Sequence, residues 1–331
     1  MLQLYLQRST NITTMNILNQ YKNGNSLTSI YEDGTRIRQI DSGEAVFSFP
    51  ENIDIKITNY CNMDSICQYC HEMSNKEGTH GDLDLLFEKI SDLPAGVELA
   101  IGGGSTTDHP NLEKFLYKCK EKGYICNITV NQLHLTKKTC DYIFKLISND
   151  LVKGVGISYR NESLKNIETF SKLMIENNYK HAVIHLIAGL DDHKSIELLK
   201  QYGFTKFLVL GYKTFGNGVS FYKENKIKID INLKKWYQQI TRYFNEDVVI
   251  SFDNLAITQL NIRRFFSTSE WDMFYQGDDF TCSMYIDAVE QTFAPTSRSE
   301  NRKKYSETSL MKYFQNKKKF IEVSNVSFYE K

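Results

Sequence analysis

Residues 52–72 read Asn52-Ile-Asp-Ile-Lys-Ile-Thr-Asn-Tyr-Cys61-Asn-Met-Asp-Ser-Ile-Cys67-Gln-Tyr69-Cys70-His71-Glu72. Ile53, Ile55 and Ile57 alternate with polar neighbours, the period of a half-buried strand. The chain then enters a loop that carries three of its seven cysteines, spaced Cys-x5-Cys-x2-Cys. Three thiolates on one loop can hold three irons of a four-iron, four-sulfur cluster and leave one iron open to a small molecule. A structural zinc site would need four closed ligands, and His71 is the obvious fourth. Spacing alone leaves both readings open.

Working outward, strand and helix patterns alternate from residue 52 onward, which predicts a parallel α/β sheet. Strands are expected near 52–58, 97–102, 124–130, 152–158, 181–188 and 205–211. Helices are expected near 82–92, 110–122, 137–148, 162–177 and 192–202. Pro110 suits a first helical turn and Gly123 a helix end. Before this core, residues 1–50 form an N-terminal extension with a β-hairpin turning at Glu32-Asp33-Gly34. After it, residues 212–331 read as a C-terminal α+β cap. The cap holds a helix near Lys234, a strand at 247–252, a hairpin turning at Val289-Glu290 and a basic helical tail.

Composition narrows the class. At 331 residues, with 41 % apolar and 13 % aromatic side chains, the chain can build one barrel-sized core. Forty Lys and Arg balance forty Asp and Glu, which excludes bulk attraction to nucleic acid or an anionic membrane. Only the local basic clusters at 302–304 and 317–319 would suit a small nucleic-acid footprint. No apolar run approaches the roughly 18 residues of a membrane span, and Met1 to Thr14 is too polar for a signal peptide. An odd count of seven cysteines reads as metal-binding or core thiols in a reducing, cytoplasmic compartment.

A strand feeding three clustered cysteines, with an aromatic residue just before the third, resembles the radical S-adenosylmethionine (radical SAM) enzymes. The run Gly102-Gly103-Gly104 after the next strand adds to the resemblance. His71-Glu72, Gly102 to Ser105 and the chain length also look like a group of phage-encoded members. The motifs cover roughly residues 50–211. The first cysteine gap is two residues longer than the usual family spacing, as in a few subfamilies, and a loop absorbs that at small entropic cost.

The resemblance implies a partial (β/α)6 TIM-like barrel over residues 51–211, with its site at the C-terminal strand ends. It implies one [4Fe-4S] cluster on Cys61, Cys67 and Cys70, with S-adenosylmethionine as the second cofactor. It also implies an external one-electron donor of flavodoxin or ferredoxin type and, for a phage-encoded protein, the host cytoplasm. By position Tyr69 would lie beside the adenine, and Gly102, Gly103 and Gly104 would meet the methionine amine through backbone carbonyls. Ser105 stands where the family commonly has an acid. Ser158 resembles the residue that holds ribose or carboxylate, Asn131 is a weaker counterpart, and Leu210 with Gly211 would flank the adenine. Asn131 and Ser158 could equally cap a turn.

His71 and Glu72 are the candidates for contact with cluster or substrate. His185 reads as a satisfied core histidine, and Cys119, Cys126 and Cys140 as core thiols. Cys282 stands alone in the cap, so a single cluster is expected. No Gly-Lys-Ser/Thr follows the glycine run, which argues against a phosphate loop. The substrate classes are a nucleotide or modified base first, then a peptide or small metabolite. A non-catalytic zinc or iron-sulfur module is the rival outside enzymes.

Overall fold

A computed structural model describes residues 2–4, 16–63, 66–160, 164–244 and 248–316. The chain begins with β1 (Leu2–Leu4), then β2 (Ile17–Asn23), β3 (Ser26–Tyr31), β4 (Arg36–Ile40) and β5 (Asn52–Thr58). Alternation follows: α1 (Leu83–Ile90), β6 (Glu98–Gly103), α2 (Leu112–Glu121), β7 (Ile125–Asn131), α3 (Lys137–Ser148) and β8 (Gly154–Ser158). It continues through α4 (Leu164–Glu176), β9 (Ala182–Ile187), α5 (Ser195–Lys200) and β10 (Lys206–Leu210). The remainder holds α6 (Asn217–Gln239), β11 (Val249–Phe252), α7 (Asn254–Gln259) and α8 (Thr268–Phe274). It ends with β12 (Ser283–Asp287), β13 (Thr292–Ala294), β14 (Lys303–Lys304) and α9 (Leu310–Gln315).

The six expected strands and five expected helices of the middle segment all form, within a few residues of their expected ends. Local chemistry explains the starts. The Asp82 carboxylate accepts from Asp84 N and Leu85 N to cap α1, and the Thr136 hydroxyl caps α3. Pro110 sits ahead of α2 rather than inside its first turn, while Gly123 takes φ +78° beyond its end.

The main sheet has eleven strands in the order β1-β11-β10-β9-β8-β7-β6-β5-β12-β13-β14. Its parallel part is larger than the six strands expected. β11 joins β10 in parallel, and β12 joins β5 in parallel along Ser283–Asp287. The segment read as a cap therefore also builds the sheet. Among the described residues no ladder joins the two outer edges, so the sheet is open.

It is nonetheless rolled. In a flat sheet β5 and β11 would lie about 29 Å apart, six strand spacings of about 4.8 Å. Yet Asp54 on β5 feels the Asp253 carboxylate just past β11. Side chains also bridge the edges: Asp279, ahead of β12, accepts from Asn254 (2.8 Å) and pairs with Arg298 (2.7 Å).

The strand period sorts residues between two faces. Ile53, Ile55, Leu99, Ile101, Ile128, Val155, Ile157, Ile184, Leu186, Phe207 and Val209 are buried and belong to the main hydrophobic core. Of their alternates on the inner face, Asp54 is exposed and Glu98, Asn127, Thr129 and His185 keep partial exposure. His185 is thus not a core histidine. Its ring lies where a Cβ on Gly156 would be, 2.5 Å from Cε1, and burial pushes its pKa down to about 4.

β2, β3 and β4 form a separate antiparallel sheet, with the expected turn between β3 and β4. It packs against the N-terminal strand ends. Arg38 pairs with the fully buried Glu51 (2.6 Å), and Arg36 pairs with Glu98 at the start of β6 (3.0 Å). The hairpin therefore closes the end opposite the cysteine loop. The basic tail with Lys317-Lys318-Lys319 lies outside the described residues. Among the described residues no helix is long and apolar enough to cross a membrane.

Candidate functional site

At the C-terminal ends of the parallel strands, the loop after β5 folds over the turn after β6. Gly104 N donates to Thr58 O (2.8 Å) and Ser105 N to Tyr60 O (2.6 Å). The contact is close enough to demand glycine. A Cβ on Gly104 would stand 2.1 Å from Tyr60 O, and one on Gly103, whose φ is +121°, 2.5 Å from Thr58 O. The sequence pattern suggested that these glycines serve a ligand; the geometry shows that they first admit the cysteine loop itself. Gly102 is different, because a Cβ there would meet only Thr129 Cβ at an ordinary 3.7 Å.

A cavity opens beside this junction. Cys61, Cys67, Tyr69, Cys70, His71 and Glu72 line it from the β5 loop, and Gly103 and Gly104 from the β6 turn. Asn131 and His134 follow β7, Ser158 and Arg160 end β8, and Leu210, Gly211, Tyr212 and Lys213 end β10. All three cysteines are outside any disulfide and partly exposed, whereas Cys119, Cys126, Cys140 and Cys282 are buried. Burial pushes the Cys70 thiol above its usual pKa. Asn131 Nδ2 approaches Cys67 Sγ at 3.4 Å while its side-chain carbonyl accepts from Leu133 N, the turn cap that the sequence allowed. Among the described residues no three His, Cys, Asp or Glu side chains converge on the position of a single metal ion.

Two cations face the cavity. Arg160 covers the Tyr69 ring (4.7 Å), pairs with Asp191 (3.6 Å) and donates to Tyr159 O (2.5 Å). Burial pushes the Asp191 carboxyl up to about 6, against the pull of Arg160. Lys213 Nζ reaches His71 Nε2 and Ser297 Oγ, each at 3.1 Å.

His71 Nε2 also lies 3.2 Å from Glu72 Oε1. Burial, then Lys213, push the imidazole below its usual pKa, so it is neutral near pH 7. A neutral ring offers Nε2 either as donor to Glu72 or as acceptor from Lys213, not both at once. Burial pushes Glu72 up, but His71, Lys56 and Lys213 outweigh it and hold the carboxyl at about 2. With His71 neutral, that charge rests on Lys56 (3.4 Å) and the Tyr285 hydroxyl (3.0 Å). Lys56 in turn pairs with Asp287, and Asp287 with Arg302.

The structure thus gathers Cys61, Cys67, Cys70, Tyr69, His71, Glu72, Gly103, Gly104, Asn131, Ser158 and Leu210 around one cavity. Gly102 and Ser105 are not part of its lining. Ser105 is 1 % exposed and donates to Asp108 Oδ2 at 2.5 Å, which turns it away from a ligand. Sequence reasoning missed Arg160, Lys213 and His134. Arg160 and Lys213 each follow a strand-end residue that had been singled out, and that position was the available signal. His134 Nε2 lies 3.9 Å from Cys61 Sγ and had no such marker.

No protein-family model and no curated protein matches this sequence. Solved structures do match in fold. Streptococcus suis SuiB bound to S-adenosylmethionine aligns with a TM-score of 0.56 and 17 % identity, over 81 % of this chain and 66 % of that one. SuiB bound to precursor peptide SuiA gives 0.57 and 17 %, and this chain spans 65 % of its length. The protein anSMEcpe with bound AdoMet gives 0.52 and 14 %, covering 82 % of each chain. At such identities the likeness is one of fold: a mixed α/β architecture around a large parallel sheet.

Proposed function

We propose that this chain is a radical SAM enzyme holding one [4Fe-4S] cluster through Cys61, Cys67 and Cys70. The observation that carries this reading is that three partly exposed thiols, none in a disulfide, border one cavity with Ser158, Arg160 and Leu210. The lining suits such a cargo. The Ser74 hydroxyl is buried there without a hydrogen-bond partner among the described residues, and the Tyr69 hydroxyl and Arg160 both turn toward the Cys67 thiol. Asn131 Nδ2 offers Cys67 the N–H···S contact that a thiolate ligand accepts. His71, the fourth ligand of a zinc reading, engages Lys213 and Glu72 instead. Fold likeness to two proteins captured with S-adenosylmethionine is in keeping with the same cofactor here.

Once bound, the cluster would supply the electron that cleaves S-adenosylmethionine to methionine and a 5′-deoxyadenosyl radical, recharged by an external flavodoxin- or ferredoxin-type donor. The chain's own residues bind and orient. Arg160 brings a guanidinium to the methionine carboxylate, and Ser158 a hydroxyl to the carboxylate or ribose. Tyr69 and Leu210 offer apolar surface to the adenine. Carbonyls of the Gly103–Gly104 turn accept from the amine.

For the substrate, a peptide is the class with a counterpart among proteins of like fold, since SuiB was captured with precursor peptide SuiA. The nucleotide reading rests on the resemblance to phage-encoded members alone.

Anaerobic reconstitution tests the reading. The wild-type chain should take up about four irons and four sulfides, and replacing Cys61, Cys67 and Cys70 together should abolish uptake. Reduced, loaded protein should release 5′-deoxyadenosine slowly without substrate, and Cys67→Ala should release none. Tight zinc binding with no iron-sulfur absorption under any condition would sink the proposal.

A further inference from the structure

We propose that Lys213 anchors the anionic group of the substrate, a carboxylate or a phosphate, in a subsite of this same cavity; the assignment to substrate rests on the function proposed above. Among the charged side chains around the cavity, Lys213 is the one whose charge the fold leaves without a direct counter-ion. Glu72 is matched by Lys56, Lys56 also by Asp287, and Asp287 also by Arg302, so that chain of charges is balanced. Arg160 has Asp191. Lys213, half-buried, makes no ion pair with a carboxylate among the described residues; its two hydrogen-bond partners are His71 Nε2 and the Ser297 hydroxyl. The carboxylates it influences, Glu72, Asp54 and Asp253, all lie beyond ion-pair reach of it. A cation partly removed from water without a matching carboxylate is costly, and an incoming anion would relieve that cost.

The ammonium is also held in place. Tyr212 N donates to Gln259 Oε1 (2.8 Å), Gln259 Nε2 returns a bond to Tyr212 O (2.9 Å), and the Tyr212 hydroxyl donates to Gly218 O (2.8 Å). Gly218 packs so closely on Lys213 O that a Cβ there would lie 2.2 Å away. With its backbone fixed and its Nζ steered by His71 and Ser297, Lys213 is preorganised, which lowers the entropy cost of binding. His71 and Ser297 each supply a polar group beside the ammonium, completing a small anion cradle. Arg160 lies at the other strand ends, after β8 beside Tyr69, and is assigned to the cofactor carboxylate.

Calorimetric titration of the full chain with inorganic phosphate, acetate and neutral acetamide, at low ionic strength, tests the assignment. Wild type should bind an anion and ignore acetamide. Lys213→Gln should weaken anion binding about ten-fold or more, the loss of one charged hydrogen bond. Lys213→Arg should keep it, which guards against a misfolded variant, and Arg160→Gln reports whether the anion seats on the cofactor-side guanidinium instead. Preference for acetate would mark a carboxylate-bearing substrate, and preference for phosphate a phosphorylated one. The inference falls if wild type binds neither anion, if Lys213→Gln binds as well as wild type, or if binding follows Arg160 instead. S-adenosylmethionine affinity, measured by equilibrium dialysis on the same proteins, separates this from the proposed function. Failure of wild type to bind S-adenosylmethionine would remove that function while the Lys213 anion site stood. Loss of S-adenosylmethionine and of anion together in Lys213→Gln would overturn the substrate assignment, because Lys213 would then serve the cofactor.

Discussion

Gly104→Ala should damage the protein before any ligand is present. The added methyl would stand 2.1 Å from Tyr60 O, well inside any real contact, and backbone must move to relieve it. That carbonyl accepts from Ser105 N at 2.6 Å, and the next residue, Cys61, donates its own N–H to Asn75 O at 2.8 Å. Shifting the Tyr60 peptide therefore disturbs the entry into the cysteine loop. Overpacking costs about 1–3 kcal/mol and a lost backbone hydrogen bond about 0.5–1.5, so a loss of about 2–4 kcal/mol is expected. Gly102→Ala is the control, since its nearest neighbour would be Thr129 Cβ at 3.7 Å. Alanine in that strand position should be neutral, or stabilising by up to about 1 kcal/mol. The assay is urea unfolding of the cluster-free chain without S-adenosylmethionine, followed by the fluorescence of the buried Trp236. Iron uptake of both variants completes it. Equal cluster-free stability of the two variants would refute the packing argument and return the glycines to a role in ligand access alone.

Ser105→Ala and Ser158→Ala should separate cleanly. The first loses a hydrogen bond to Asp108 and about 0.5–1.5 kcal/mol of stability, with S-adenosylmethionine affinity kept. The second should raise the S-adenosylmethionine Kd roughly five-fold by equilibrium dialysis, with cluster absorption unchanged. Replacing Cys119, Cys126 and Cys140 by alanine should lower the thermal midpoint, because all three are buried, yet leave iron uptake per folded chain intact. Asp54→Asn should raise the thermal midpoint near neutral pH. Enclosure inside the rolled sheet pushes this carboxyl from 3.8 to about 6 although its side chain stays open to solvent, so its ionisation costs a small, solvent-screened amount of stability, present in full above the folded value. The gain from Asn should shrink as pH falls from about 6 towards 4, and a gain independent of pH would contradict the assignment.

What the sequence determined by itself was local. The alternation of Ile53, Ile55 and Ile57, the helix periods and the turn at Gly34 are set within a few residues, because strand, helix and turn preferences act over that range. The three cysteines likewise declared themselves by spacing on one loop. Tertiary structure decided what distant segments do to one another. Lys213 meets His71 across 142 positions, and Tyr285 meets Glu72 across 213, contacts that exist only because the sheet is rolled. Rolling also placed His185 on the inner face, since a period of two says which residues share a face but not which face the helices cover. Parallel pairing brought β12 beside β5 from the far end of the chain, a partnership set by long-range packing that no local pattern encodes. The glycine turn shows both at once: its composition was plain in sequence, but the carbonyls that require it belong to the loop after β5.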